Sequence, residues 1–329
     1  MIAIPGLTGS QIPNRQVALQ ITLANNTQTN QPTFFNETQS SQLNTLNIQG
    51  LRVSARIRNA GNLTAVAQVK VWGLTPSLMA QLSSLGLMYN LIPRNIITIL
   101  AGDPNSGGMS IVFQGTIMHA YGDYENQPDT PFLMDAAFFG AFNVIAAKPT
   151  SYPSQFAVTA ALQTLAPKMG LSFAGNNVNV MLPPMYVSGS PLVQARKLAR
   201  AANIDIGTVE STLEATNKAG ARQGAPITIS PQTGSISYPS FTESGVMIKT
   251  LFNPQIKFKS QVQIQSSVLS AIANAHPSST LAAAGSFPTT WIAQKLDLDL
   301  DAQVPGGQWM TTVYAYSPQA VASGFIPPA

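Results

Sequence analysis

The sequence predicts an α+β, mainly β fold, and two patterns in it support that prediction. Apolar and polar residues alternate with a period of two, as they do in strands, near both ends of the chain. Longer runs of apolar residues at helical spacing lie in the middle, in the segments 154–169 and 191–202. The expected order is therefore strands, then a mixed α/β segment, then strands again.

The N-terminal part is predicted to contain a long hairpin. Residues 51–58 and 65–71 each alternate, and the turn-forming run NAGN at 59–62 separates them. Thr75-Pro76 predicts the start of a short helix, with threonine as the N-cap and proline at the first helical position. Other N-terminal strands are predicted over residues 17–23, 96–100 and 110–118.

The middle and C-terminal parts contain a second N-cap pair and four more candidate strands. Ser190-Pro191 precedes a helix whose apolar face is predicted to contain Leu192, Ala195, Ala199 and Ala202. After Gly220 the pattern returns to strands. These are predicted near residues 246–252, 257–264, 293–300 and 310–316.

The composition argues for a chain whose surface is covered by neighbours. Only 9% of its 329 residues are charged, against about 25% in ordinary soluble proteins. A surface this poor in charge is weakly protected against association. The net charge of +4 comes without long basic runs, which makes nucleic-acid binding a poor fit.

The absence of cysteine and the hydropathy pattern exclude several further classes of protein. The chain has no cysteine, so it holds no disulfide framework, no cysteine-ligated zinc and no thiol nucleophile. The most apolar stretch, residues 131–147, is interrupted by Asp135, Gly140 and Asn143, and we expect no stable membrane insertion. Residues 1–6 lack the basic and long apolar regions of a secretory signal peptide.

Six ordered segments resemble the hub proteins of tailed-bacteriophage baseplates, above all those of contractile tails. They are LNIQGLRVSARI, AQVKVWGLTPSLMAQLSSLG, IVFQGTIMHAYGDYENQPD, SPLVQARKLARAANI, YPSFTESGVMIKTLFNP and VPGGQWMTTVYAY. Together they span roughly residues 43–316. Each segment is only a strand-and-turn pattern, so the resemblance depends on their order.

The resemblance implies a structural subunit of the virion tail with no cofactor and no enzymatic activity. It implies a homotrimeric ring that adapts a six-fold tail tube to a three-fold central spike, located in the tail baseplate of the virion and assembled in the bacterial host cytoplasm. The other implied partners are the tape-measure protein, further baseplate proteins and DNA in transit through the lumen. Each subunit would contribute two β-barrel-like modules similar to the tail tube, predicted at residues 1–118 and 221–329, with an α/β insertion at 119–220 between them.

Arg52, Arg56 and Arg58 are the candidate site residues, because they share one face of a predicted strand. They could line a lumen, bind the acidic rim of a neighbouring subunit, or lie in solvent. Four aromatic residues of the C-terminal part are predicted to pack in a barrel core. They are Tyr238, Phe241, Phe252 and Phe258.

Several acidic and histidine residues invite a catalytic or metal-binding interpretation that their context does not favour. Asp297, Asp299 and Asp301 alternate with leucines, as in a strand with one polar face, and lack the spacing of a calcium loop. His119 and His276 accompany no nucleophile motif. The remaining group lies in a loop with turn residues and is expected to be solvated. It consists of Asp123, Glu125 and Asp129.

Three alternative functions remain open from the sequence. A hub of a phage-tail-like bacteriocin or secretion machine would share the same motifs. A baseplate-associated cell-wall hydrolase would need a catalytic glutamate on a well-defined helix, which the sequence does not offer. A carbohydrate-binding receptor module would be expected to cluster exposed aromatic residues, whereas Trp72, Trp291 and Trp309 lie far apart in sequence.

Overall fold

The computed structural model of the chain is α+β and mainly β, as the sequence predicts. It describes residues 14–24, 33–35, 43–84, 95–105, 108–125, 127–138, 147–242, 245–266 and 290–318. His276 lies outside the described residues. No helix in the described part of the chain has the length and apolar character that a bilayer crossing requires.

The N-terminal strands form one antiparallel half of a large sheet. They are β1 (Gln16–Thr22), β2 (Thr45–Ile48), β3 (Val53–Arg58), β4 (Val66–Trp72), β5 (Ile96–Asp103), β6 (Gly108–Gly122) and β7 (Pro131–Ala137). Their order across the sheet is β3, β4, β7, β6, β5, β1, β2. The predicted hairpin is β3–β4, whose inward residues Val53, Ala55 and Ile57 are fully buried. Helix α1 (Pro76–Leu82) starts at Thr75, whose hydroxyl accepts a hydrogen bond from the Leu78 amide.

The middle of the chain forms the smaller α/β part. Its short strands are β8 (Thr150–Tyr152), β9 (Phe156–Ala157), β10 (Ser172–Asn176), β11 (Met181–Leu182), β12 (Met185–Val187), β13 (Ile204–Val209) and β14 (Thr212–Asn217). Its helices are α2 (Val158–Leu165), continued by a 3₁₀ turn (Ala166–Met169), and α3 (Pro191–Ala201). Strands β10, β14 and β13 form a separate sheet. As predicted, Ser190 caps the N-terminus of α3, and the helix buries Leu192, Ala195 and Ala199.

The C-terminal strands form the second half of the large sheet. They are β15 (Ile227–Ile229), β16 (Ser240–Thr242), β17 (Gly245–Leu251), β18 (Gln261–Ile264), β19 (Thr290–Ala302) and β20 (Trp309–Tyr316). The order β16, β17, β20, β19 is antiparallel, with β18 also pairing β19. Alternation in β17 buries Val246, Ile248 and Thr250, as predicted. The strand predicted over 257–264 is shorter, because Ser260 accepts a hydrogen bond from the Lys257 amide and closes a turn before β18.

The two halves become one sheet through β3 and β19. These strands pair antiparallel, with Leu298 opposite Ile57 and Ala302 opposite Val53. In the described residues the sheet is an open path that ends at β16 on one side and β2 on the other. Strand β6 runs across residue 118, the predicted end of the first module. The three-module division of the chain stays a prediction.

Candidate functional site at the junction of the two sheet halves

A row of paired charges follows the junction of the two sheet halves. The outward residues of β3 are Ser54, Arg56 and Arg58, and their inward neighbours are buried. The outward residues of β19 include Asp297, Asp299 and Asp301, which alternate with buried Leu298 and Leu300. The register puts Asp299 opposite Arg56 and Asp301 opposite Ser54. We call these six outward residues the charged seam.

Arg56 is the central cation of the charged seam. Its Nη1 and Nη2 donate to the two carboxylate oxygens of Asp301 at 2.9 and 3.2 Å, a bidentate pair. Its Nε lies 3.4 Å from Asp299, which is also 2.8 Å from Nη2 of Arg58. The seam therefore stabilises the pairing of β3 and β19 across more than 240 residues of sequence.

Asp301 is the best-satisfied carboxylate of the seam. It accepts hydrogen bonds from the Ser54 hydroxyl at 2.7 Å and the Gln308 amide at 2.9 Å, in addition to those from Arg56. Burial alone would raise the pKa of Asp301, but Arg56 and these hydrogen bonds outweigh burial and hold that pKa below its ordinary value. The carboxylate therefore stays charged and bound to β3.

The three aspartates lie on the polar face of β19, and each contacts polar groups of the same chain. Asp297 accepts a hydrogen bond from the Asn59 amide at 3.1 Å and lies 3.6 Å from the ammonium of Lys295. No group of three metal-ligating side chains occurs within the described residues. The chemistry of the seam is pairing between strands, with the carboxylates directed at cations of the same chain.

Arg52 lies at the end of the seam and has a different environment. Its guanidinium pairs with Asp129 at 2.8 Å and lies 4.1 Å from the ring centroid of Trp72. Both members of the ion pair are exposed, with 45% of the Arg52 side chain accessible. Arg52 therefore connects β4 and the β6–β7 turn at the surface, whereas Arg56 connects the two sheet halves.

A second polar group, which the sequence patterns do not indicate, lies between the α/β part and the large sheet. Lys259 is fully buried, and its ammonium contacts Asp205 at 2.7 Å, the Tyr316 hydroxyl at 2.6 Å and the Lys218 carbonyl at 3.0 Å. The ammonium of Lys218 lies 2.9 Å from the other oxygen of Asp205. We call these four residues the buried lysine cluster.

Burial controls the electrostatics of the buried lysine cluster. It lowers the pKa of Lys259, and Asp205 opposes that shift by favouring the ammonium form. Burial also raises the pKa of Tyr316, and the Asp205 carboxylate adds to the increase. Tyr316 in turn donates to the Lys218 carbonyl at 2.6 Å. The cluster thus joins β13, the turn before β18 and the end of β20 through buried, charge-assisted hydrogen bonds.

Comparison with known proteins identifies the kind of molecule that this sheet belongs to. The sequence matches the family described as baseplate hub gp41 over residues 33–276, most of the chain. The chain belongs to the baseplate hub gp41 family. Among curated protein sequences, none matches this hub chain.

Solved structures show the same fold at low sequence identity. The 43 kDa tail protein of prophage MuSo2 from Shewanella oneidensis is 11% identical with a TM-score of 0.53, covering 95% of this chain and 99% of that one. The tail protein of Neisseria meningitidis MC58 is 8% identical with a TM-score of 0.56, at 95% and 99% coverage. A chain of the half-lidded Francisella PdpA–VgrG complex is 6% identical with a TM-score of 0.58, at 97% and 60% coverage. These identities establish the fold alone.

The other residues singled out in the hub sequence lie apart from the seam and the cluster. His119 pairs with Asp135 across β6 and β7. Asp123 accepts a hydrogen bond from the Glu125 amide in the exposed β6–β7 turn, consistent with a solvated loop. The three tryptophans do not form an exposed cluster, because Trp291 is buried and Trp309 packs edge-on against Phe252.

The prediction that four aromatic residues pack in a core is wrong for one of them. Phe258 is buried and Phe252 is half-buried, but Tyr238 is 71% exposed. Tyr238 lies in the segment just before the edge strand β16, where no further strand covers it in the described part of the sheet. The side chain of Phe241 lies outside the described residues.

Tyr316 provides a test of the buried lysine cluster through alkaline stability. Its raised pKa means that the folded chain holds the phenolic proton more tightly than the unfolded chain, whose tyrosine titrates near 10.0. This contribution is complete below pH 10.0 and is lost as pH rises above it. We expect Tyr316→Phe to lose stability less steeply above pH 10.0 than the wild type, measured by urea unfolding. Tyr238→Phe is the exposed control, and equal slopes in all three chains would contradict the burial of the phenol.

Proposed function

We propose that this chain is a structural hub subunit that assembles as a homotrimeric ring between a six-fold tail tube and a three-fold central spike. Membership of the baseplate hub gp41 family carries the proposal, because the match covers the N-terminal strands from β2 onward and the α/β part. The continuous sheet supports the same role. A subunit that transmits load between tube and spike needs its two halves held as one body.

The charged seam and the buried lysine cluster supply that rigidity. The seam joins the sheet halves at β3 and β19, and the cluster joins the α/β part to the C-terminal half. In the proposed ring each half acts as one tube-like, barrel-like module, so that three copies present six modules to the tube. Closed point-group symmetry of this kind also prevents uncontrolled assembly.

Exposed sheet edges favour assembly. The described sheet ends in β2, with four residues, and β16, with three residues, and each pairs with one strand only. Unpaired edge strands are sites for pairing with another chain, and closing a ring covers them. The low content of charged residues, 9% of the chain, fits a surface that neighbours cover.

The proposed partners are the tail tube protein, the central spike protein, the tape-measure protein and further baseplate proteins, with DNA only in transit. We place Arg52 and the exposed parts of Arg56 and Arg58 at the lumen or at a subunit interface. Arg58 keeps 43% of its side chain accessible despite its pairing with Asp299, so it can also contact a neighbour. The proposed role is not enzymatic, and the proposed location is the tail baseplate of the virion after assembly in the host cytoplasm.

A second candidate is the hub of a phage-tail-like secretion machine. The fold shared with the Francisella VgrG complex favours it, although the match to the baseplate hub family concerns the sequence itself. The two candidates differ in the tube and spike proteins that the chain would bind.

Light scattering of the purified chain, alone and mixed with tube and spike proteins, tests the proposal. We expect a particle of three times the 34.8 kDa chain mass, stabilised when the spike protein is present. A chain that stays monomeric in the presence of both partners would contradict the ring. Retention of the spike protein of a secretion machine in place of a phage spike would favour the second candidate.

A further inference from the structure

We propose that a basic cleft beside helix α3 binds the acidic β6–β7 turn of a second copy of this chain. This inference rests on the proposed function, because it assigns one subunit contact of the proposed ring. The cleft has a volume of about 290 Å³. Five of its lining residues carry the argument below. They are Arg196, Arg200, Asp205, Lys218 and Gln294.

The cleft has an excess of positive charge. Arg196, Arg200 and Lys218 line it, and Asp205 is the only acid among its lining residues. That acid is already shared by the ammonium groups of Lys218 and Lys259, at 2.9 and 2.7 Å. Arg200 is exposed and forms no ion pair with any described residue. Arg196 donates to the Leu63 carbonyl at 3.1 Å, so Arg200 is the cation of the cleft that can accept a further carboxylate.

Other polar groups in the cleft favour a polypeptide over a simple anion. The side-chain amide oxygen of Gln294 is buried and has no hydrogen-bond partner within the described residues. An unpaired buried acceptor is costly, so an incoming N–H group would be favoured there. A peptide segment offers both a carboxylate for Arg200 and N–H groups for this oxygen, whereas an inorganic anion offers mainly acceptors.

The β6–β7 turn is the matching surface on the same chain. It carries Asp123, Glu125 and Asp129; Asp129 already pairs with Arg52, whereas Glu125 is exposed without an ion pair to any described residue. Tyr121 and Tyr124 lie beside these acids and are 51% and 59% exposed. Tyrosine is enriched in protein interfaces, where its ring is buried and its hydroxyl keeps a polar partner. We call the three acids and two tyrosines the acidic turn.

The acidic turn cannot reach the cleft of its own chain. It connects to β7 at Pro131, which lies opposite Trp72 at one end of β4. The cleft lies past the other end of β4, beside Asn62. The 7 residues of β4 separate the two by roughly 20 Å. A contact between them therefore joins different copies head to tail, the arrangement that closes into a ring when the rotation between copies permits.

Cysteine cross-linking tests this contact directly, because the chain contains no cysteine. Glu125→Cys and Arg200→Cys chains, purified with different tags and mixed, are expected to form a disulfide-linked dimer under mild oxidation. Lys197→Cys is the matched control, since Lys197 lies on the same helix but does not line the cleft. Linkage to residue 200 but not to residue 197 supports the proposal, and equal or absent linkage overturns it.

Charge reversal gives a second, independent readout. Arg200→Glu is expected to weaken self-association roughly tenfold or more, because it faces the acids of the neighbouring copy with a like charge. Lys197→Glu changes the net charge equally and is expected to leave association unchanged. Adding Glu125→Arg to Arg200→Glu is expected to restore association, and failure of that rescue counts against the contact.

The outcomes separate this contact from the ring itself. If the wild-type chain forms trimers, the cysteine variants do not link through residue 200 and Arg200→Glu leaves the trimer intact, the contact is overturned and the proposed function stands. If the wild-type chain stays monomeric even with tube and spike proteins present, and the cysteine variants do not link, both the contact and the proposed ring are overturned. Two results together would support both the contact and the ring. The cysteine variants would link through residue 200 but not residue 197, and the Arg200→Glu chain would be monomeric.

Discussion

Replacing Asp205 with asparagine is expected to lower the free energy of unfolding by about 3 kcal/mol, because it breaks a buried ion pair and leaves a lysine without its counter-charge. Only 1% of the Lys259 side chain is accessible, and Asp205 is its only carboxylate partner within the described residues. Asparagine keeps the shape of the side chain, so the loss reports the charge. Urea unfolding at one fixed protein concentration measures it, since assembly makes stability depend on concentration.

The control for this variant is an ion pair of the same type at the surface. Lys257 pairs with Glu210, whose side chain is 52% accessible. Glu210→Gln is expected to cost about 0–1 kcal/mol, since solvent screens exposed pairs. Equal losses in Asp205→Asn and Glu210→Gln would contradict a buried, charged cluster between the α/β part and the sheet. A large loss confined to Asp205→Asn supports it.

The second large effect is expected at the charged seam. Arg56→Ala removes the bidentate pair to Asp301 and the contact to Asp299, and leaves two mostly buried carboxylates with fewer partners. We expect a loss of about 2–3 kcal/mol in the free energy of unfolding, the scale of hydrogen bonds to charged groups that become unsatisfied. Hydrogen exchange should locate the loss, with faster exchange of the β19 amides that pair with β3.

Arg52→Ala is the matched control, because it removes the same residue type next to the same strand. Its pair with Asp129 is exposed on both sides, so we expect a loss of about 0–1 kcal/mol and no change in exchange at β19. If Arg52→Ala and Arg56→Ala behave alike, the seam does not hold the two halves together. If only Arg56→Ala loosens β19, the joined sheet depends on the paired charges.

Short sequence patterns predict the strands and helices that are determined by interactions between residues close in sequence. The alternation in residues 246–252 and the Ser190-Pro191 cap lead directly to β17 and α3, because side-chain period and N-cap chemistry act over a few residues. The polar faces of β3 and β19 are also visible in the sequence. Their pairing is not, because it joins Arg56 to Asp301 across 245 positions.

The match between two charged strand faces is the signal that sequence reasoning could have used. A strand with Ser54, Arg56 and Arg58 on one face and another with aspartate at every second position can satisfy each other when they pair. The buried lysine cluster left no such signal. Lys259 lies in an irregular turn, and nothing in its neighbours distinguishes a buried lysine from a solvated one.

The measurement that tests the account most directly is electron-microscope imaging of the purified chain, with and without its tube and spike partners, followed by class averaging. The proposed hub predicts a three-fold ring with an open centre and six similar outer lobes, two from each subunit. Compact single particles under both conditions would contradict the ring and the role as adaptor between tube and spike.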